Sequence, residues 1–588
     1  MSLIHCSRQN YYKNPYGAVP CDTAVLLRCD YTDYNCFPVL YFRYEAFDFC
    51  RTFSFKPDKT IIHDGIFTAE YNLNSTVFNN AGLYFYWFST EKGERTKEYQ
   101  ITVYEKQLTV PKWFLNSIIY QVFPDRFYKA EDNRALPKSN SFMYSDWNDI
   151  PMYIKDNQQR IARWEFFGGN LKGIEEKLEY IKELGADTVY INPIFEARSN
   201  HRYDTADYHK IDSLLGGDDA FDELITAMKS ENMHVVLDGV FNHTGKCSKY
   251  FSDCKNENSP YKDWYSFKDD GTYDCWWGVD DLPSINKSCK SFAEFVADSE
   301  NSVVRYWSRK GIDGWRLDVA DELSDILLQK IRSAAEKEIK EPVIIGEVWE
   351  NASNKMSYGQ RKMYFTKPEL HTHTNYVFRD SLMAFFNGSV SGYDTAEVFE
   401  NIKETYPKHN FYAQVNMTGS HDVERLMSLM LNITKNDRRL ARDLIKCYSL
   451  IQFTAVGVPL VYYGDETCLE GGKDPDNRRT YPWGNEDSEM IKWFTDLAAM
   501  RKSLTTLVFG DAEYFGDSDG NVFAMLRYSN DESDSDALYL TICDRFGRGR
   551  EFLDTCIKNL SKNIEKIKEK SYIIEKEAGG YGLLVSFL

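Results

Sequence analysis

Acidic, basic and imidazole side chains recur where apolar runs of this sequence stop. HVVLDGVFN and the residue after it supply Asp238, Asn242 and His243. DGWRLDVA carries Arg316 and Asp318, PVIIGEVW carries Glu347, and YAQVNMTGSHD ends in His421 and Asp422. In DGWRLDVA, Trp315, Leu317 and Val319 alternate out of phase with Arg316 and Asp318. Strand side chains alternate faces, so the arginine and the aspartate share one side. A pair such as Asp318 and Glu347 suits glycoside cleavage. One ionised carboxylate attacks the anomeric carbon while one protonated carboxyl gives its proton to the leaving oxygen. An arginine beside the first keeps it ionised, and burial among other carboxylates raises the second. Asp422 is a third acid that could bond sugar hydroxyls and help raise the proton donor. Singly, each acid reads more simply as a helix cap or ion-pair partner. Asp238 is assigned a structural role, and a lone His243 or His421 reads as a packed histidine. Only the joint pattern points to chemistry.

The elements that must position these groups alternate. Strand candidates lie at 117–124, 187–195, 234–242, 313–320, 342–349, 412–422 and 457–466, with a weaker one at 375–378. Between them, LKGIEEKLEYIKEL (171–184) puts Leu171, Ile174, Leu178, Ile181 and Leu184 on one helical face behind Asn170 as N-cap, and further helices are expected over 219–230 and 323–339. This α/β alternation predicts a (β/α)8 TIM barrel over 113–504, with a doubly wound open sheet as the weaker alternative. The polar run ends then converge on the barrel's C-terminal rim, where such folds keep their sites. Irregular stretches at 128–166 and 244–300 are long βα loops that can wall a cleft, the second an inserted loop domain. Residues 1–112 read as an N-terminal β-sandwich of short aromatic runs between turns. Residues 505–588 read as a C-terminal antiparallel β domain, within which the charged stretch 557–570 carries no functional signal.

The whole chain, at 588 residues, exceeds one core and predicts two to four domains. A net charge of −19 argues against nucleic acid or an anionic membrane as partner. Forty Tyr and 37 Phe suit stacking on flat ligands such as sugar rings. The most apolar long window, 447–463, contains Gln452, Gly457 and Pro459 and is shorter than the roughly 20 residues a membrane helix needs, so it reads as a helix end and a buried strand. Thirteen cysteines without CxxC spacing, and a start unlike a signal peptide, read as free thiols in the cytoplasm.

Taken together, DGVFNH (238–243), GWRLDVADE (314–322), GEVW (346–349) and GSHD (419–422) resemble, in order and separation, the four signature blocks of the α-amylase family of glycoside hydrolases. LPSIN (282–286), GADTVYINP (185–193) and GVPLVYYGDE (457–466) are similar to its further blocks, and the likeness runs through roughly 113–503. YQVFPDRF, HRYDTADY, the GWRLDVADE form and DPDNRR resemble the neopullulanase, cyclomaltodextrinase and maltogenic amylase branch, whose members carry an N-terminal β-sandwich.

Carried over by position, the resemblance implies Asp318 as nucleophile, Glu347 as general acid/base and Asp422 as transition-state stabiliser. It implies sugar contacts before the cut from His243, Arg316 and His421, stacking by Tyr203, and glycone-end contacts from Asp474 and Arg478. Trp349 would be a platform on the leaving-group side. The implied activity is retaining hydrolysis of α-1,4 bonds in maltooligosaccharides, cyclomaltodextrins or pullulan. The alternatives are a glucan transferase on the same scaffold and a non-catalytic interaction protein. The N-terminal domain would bind glucan or make a homodimer. Departures stand at Ser284, Glu350 and Val423-Glu424, near the expected acceptor side or its support. Asp321-Glu322 replaces the Lys-His that usually accompanies the family's calcium, and Asn170 replaces an aspartate of a second calcium site. The expectation is no required cofactor, with calcium left open.

Overall fold

The computed structural model describes residues 3–63, 65–130, 138–158, 160–517, 520 and 522–529, and the strands Leu538–Asp544, Tyr572–Ala578 and Tyr581–Phe587. Two compact units result. One joins Met1–Val110 with Trp349–His371 and Val398–Phe411; the other joins Pro111–Val348 with Thr372–Glu397 and Tyr412–Leu588.

The first unit holds two sheets. One is antiparallel, in the order Lys13–Asn14, Val25–Tyr31, Ile66–Leu73, Lys59–His63. The other runs Val19–Pro20, Tyr99–Tyr104, Gly82–Ser89, Val39–Ala46, Phe49–Phe55. Alternation does the folding here. Val25–Tyr31 buries every second residue, and Leu27, Phe42, Tyr71, Tyr86 and Ile101 meet in one core.

In the second unit eight parallel strands form the barrel: β1 (Ile119–Val122), β2 (Thr188–Ile191), β3 (His234–Gly239), β4 (Gly314–Leu317), β5 (Val343–Gly346), β6 (Thr372–His373), β7 (Val415–Met417) and β8 (Val458–Tyr462). They pair in the order β6-β5-β4-β3-β2-β1-β8-β7, and a parallel bridge from Thr374 to Val415 joins β6 to β7 and closes the ring. Strands covered on both faces read as unbroken apolar runs; β1, β2, β4, β5 and β8 are buried along their whole length.

One strand sits elsewhere than expected. The sixth is Thr372–His373, and 375–378 begins a helix, Tyr376–Phe386, capped by the Asn375 side chain accepting from Phe378 N at 3.1 Å. A four-residue apolar run cannot separate the two periods. The helix over 171–184 is divided at Lys177, yet all five of its apolar residues are buried, and Asn170 Oδ1 accepts from Gly173 N at 2.7 Å. Window 447–463 holds the end of helix Arg438–Thr454 followed by β8, and among the described residues no helix is long and apolar enough to cross a membrane. A sheet in the order Asp511–Gly516, Val522–Tyr528, Leu538–Asp544, Tyr581–Phe587, Tyr572–Ala578 ends the chain. The charged stretch 557–570 lies outside the described residues.

Candidate active site

Ladder geometry delivers the carboxylates. Asp318 N donates to Gly239 O at 3.1 Å and Glu347 N to Leu317 O at 2.9 Å, so each acid rides the last backbone bond linking its strand to the one before. Arg316, two residues before Asp318, shares its side as the alternation predicts: its Nη1 donates to Asp318 Oδ1 at 2.8 Å. Val319 follows with φ +45°, a left-handed turn that a β-branched residue rarely takes. That turn aims Val319 N at Glu347 Oε2, 2.8 Å away.

Arg316 is the hub. It is 2% exposed, and beyond Asp318 it bonds Asp238 Oδ1 at 2.9 Å and Glu347 Oε2 at 2.9 Å. Arginine was expected beside the nucleophile alone; it holds both acids of the pair and Asp238 as well. Asp238 is fixed further by Tyr190 Oη at 2.6 Å and Tyr203 Oη at 2.9 Å, which gives the structural role assigned to it a set of named partners.

His421 lies flat against Tyr203, ring centroids 5.3 Å apart and planes 9° apart. Its Nδ1 faces two amides, Gln121 Nε2 at 3.1 Å and Asn192 Nδ2 at 3.2 Å. An amide nitrogen only donates, so Nδ1 accepts and Nε2 carries the proton, towards Tyr203 Oη at 2.6 Å and Asp422 Oδ2 at 3.2 Å. His243 stacks on Trp276 at 5.5 Å. Burial holds His421 well below the usual imidazole range and His243 down to about 3, so both are neutral hydrogen-bonding groups.

On the β7–β8 side Arg478 joins the cluster. Its Nε donates to His421 O at 3.0 Å, its Nη1 pairs with Asp474 at 2.9 Å, and its Nη2 lies 3.9 Å from Asp422. Asp474 also accepts from Tyr153 Oη at 2.8 and 2.9 Å. Trp349, two residues past Glu347, opens a segment of the first unit and is 41% exposed. Sequence reasoning passed over Tyr190, Asn192, Gln121 and Tyr153. The first three lie in or beside quoted strands and alternation could have found them; Tyr153 sits in an irregular loop with no period to mark it.

Four carboxyls, those of Asp238, Asp318, Glu347 and Asp422, thus face two guanidinium groups. Burial pushes Asp318 well above the usual carboxylate range; Arg316 opposes this, while Glu347, Asp238 and Asp422 add to it. Asp422 is pushed up to about 7, by burial first and then by Glu347. Such a cluster keeps a proton near neutrality, because more charges crowd it than its cations balance. That is the condition for one acid to donate while another attacks.

Just before the long insertion, the Asn242 carbonyl accepts from the Lys287 ammonium at 3.0 Å, and the Asn170 side-chain oxygen accepts from Gly173 N at its helix cap.

The family profile described as "Alpha amylase, catalytic domain" matches residues 121–506. The amylopullulanase of Thermoanaerobacterium saccharolyticum is 32% identical over 87% of this chain and 45% of its own length. Neopullulanase 2 of Thermoactinomyces vulgaris is 30% identical over 72% of this chain and 69% of its own. The chain therefore spans less than half the length of the amylopullulanases it matches. Among solved structures, the cyclic alpha-maltosyl-(1→6)-maltose hydrolase from Arthrobacter globiformis superposes with a TM-score of 0.64 at 28% identity, over 75% of this chain and 92% of that one.

Proposed function

The chain belongs to the α-amylase family, and from that premise we propose that it is a retaining hydrolase of α-1,4-glucosidic bonds in maltooligosaccharides, cyclomaltodextrins or pullulan. One observation carries the reading: a single buried guanidinium, Arg316, bonds Asp318 and Glu347 together at 2.8 and 2.9 Å. Three carboxyls, Asp238, Asp318 and Glu347, share this one cation, so the cluster holds a proton in common, and the family positions assign the attack to one acid and the proton transfer to the other. Asp318 attacks C1 in its ionised form. Glu347 gives its proton to the departing glucosyl oxygen, and the C1–O bond breaks. Water that has lost its proton to Glu347 then releases the glycosyl-Asp318 ester with the α configuration retained. Asp422, backed by neutral His421, bonds sugar hydroxyls; Tyr203 offers its ring, His243 and Arg316 close the floor, and Arg478 with Asp474 receives the glycone end.

The same reading extends to the chain's surroundings. The protein works in the cytoplasm, where its cysteines stay reduced, and needs no metal. Its N-terminal unit binds glucan or forms a homodimer, and a purely monomeric mass in solution would discard the second version.

Product analysis tests the proposal. β-Cyclomaltodextrin, pullulan and soluble starch are digested separately, with Asp318→Asn alongside. Maltose and glucose from the ring, or panose from pullulan, are expected, with the variant slower by about 10⁴-fold. Oligosaccharides longer than the substrate, dominant at high maltotriose, would replace hydrolase with transferase. No products from any substrate, with and without calcium, would replace it with an interaction protein.

A further inference from the structure

The insertion after β3 carries an aromatic that no step above uses. Trp277 is 80% exposed and takes φ +49°, ψ +30°, a left-handed conformation that is an outlier for a bulky residue. Its loop is not slack. Trp276 N donates to Leu282 O, Val279 N to Trp276 O and Leu282 N to Val279 O, each at 2.9 Å, while Cys275 bridges Pro283. The backbone therefore holds a strained turn, and what the turn accomplishes is to present an indole to solvent.

Two contacts tie that indole to the candidate active site. Its Nε1 donates to Glu322 Oε1 at 2.9 Å, and Glu322 lies four residues past Asp318, across a short turn. Its ring stacks on Trp276 at 5.6 Å, and Trp276 stacks on His243 at 5.5 Å. The platform thus hangs from the ends of β3 and β4. In the closed ring these strands stand opposite β7 and β8, which bear His421, Asp422 and the Arg478–Asp474 pair. A glucan running from Arg478 across Asp318 and Glu347 leaves over the β3–β4 rim.

We propose that Trp277 is a stacking platform for a glucosyl ring on the leaving-group side of the cut, and that Glu322 is its positioning residue. This rests on the hydrolase reading above. An indole face is apolar and flat, like the C–H face of a glucose ring, and stacking on it rewards longer leaving groups without any charge. Holding Nε1 fixes the ring plane, so the sugar need not order it.

The test compares kcat/KM for maltopentaose, which can occupy both sides of the cut, with that for 4-nitrophenyl α-maltoside, whose leaving group is small. In Trp277→Gly the ratio of the two is expected to fall by about 10-fold. The melting temperature should not fall, because glycine takes φ +49° without strain. Trp277→Phe should lose less than Trp277→Gly. Glu322→Ala should lower the ratio, and Glu322→Gln should restore it, since the amide oxygen also accepts from the indole. A ratio within twofold of wild type in Trp277→Gly, or equal loss in Glu322→Gln and Glu322→Ala, overturns the platform. Wild type inactive on both substrates overturns the hydrolase reading itself.

Discussion

Asp422 is where the site's electrostatics become measurable as stability. Its carboxyl is pushed up to about 7 in the folded protein, against 3.8 ordinarily, by desolvation within the cleft, where its side chain stays 29% exposed, and then by the facing Glu347. Between those values the native state keeps a proton that the unfolded chain has released, so stability falls as pH rises through the window. Asp422→Asn removes that dependence. Thermal melts should superpose for the two proteins below about pH 4 and separate above pH 7, the variant melting higher; equal separation at both ends would place the raised acid elsewhere in the cluster. Tyr153 gives a second residue-scale outcome. Its hydroxyl donates to Asp474, which pairs with Arg478. Tyr153→Phe frees the Asp474–Arg478 pair to move and should raise KM for maltotriose about 3- to 10-fold with kcat little changed, as loss of one uniform binding contact does. A drop in kcat alone would place Tyr153 nearer the chemistry.

At the scale of elements, the helix Arg438–Thr454 needs partners for its last carbonyls, and two buried arginines supply them. Arg501 donates to Phe453 O at 2.8 Å, to Ala455 O at 3.1 Å and to Gly457 O; Arg527 donates to Thr454 O at 2.6 Å, Leu507 O at 2.9 Å and Gly510 O at 2.8 Å. Both lie at the carbonyl end of the helix dipole, where a cation is favoured. Burial lowers Arg501 to about 9 and Arg527 to about 10, and backbone carbonyls accept their hydrogen bonds. Arg501→Met strands those carbonyls and should cost at least about 3 kcal/mol in urea unfolding. A loss under 1 kcal/mol would mean that water replaces the guanidinium. Neither arginine was legible in the sequence: Arg501 looks like one more charged residue of an amphipathic helix. The sixth barrel strand was misplaced for the opposite reason, since Thr372–His373 is too short to show any period.

For the whole molecule, a charge of −19 sets an expectation about substrate. A neutral glucan feels no long-range field, so kcat/KM should change less than about twofold between 20 and 300 mM salt; a steep salt slope would argue for a charged substrate. Activity should likewise survive a chelator, since the Lys287 ammonium already ties the insertion to Asn242. What the chain alone determined was the barrel and which acids gather at its strand ends, because strand and helix periods are local and the polar residues fall at the ends of apolar runs. Strand alternation alone places Arg316 beside Asp318. Only the folded molecule decided how those groups share charge: that one guanidinium serves three carboxyls, that His421 is neutral with its proton on Nε2, that Tyr153 reaches Asp474 from 321 residues away, and that Trp277 is aimed by Glu322. Contacts between groups distant in sequence, and the burial that shifts their protons, exist only once the ring of strands has closed.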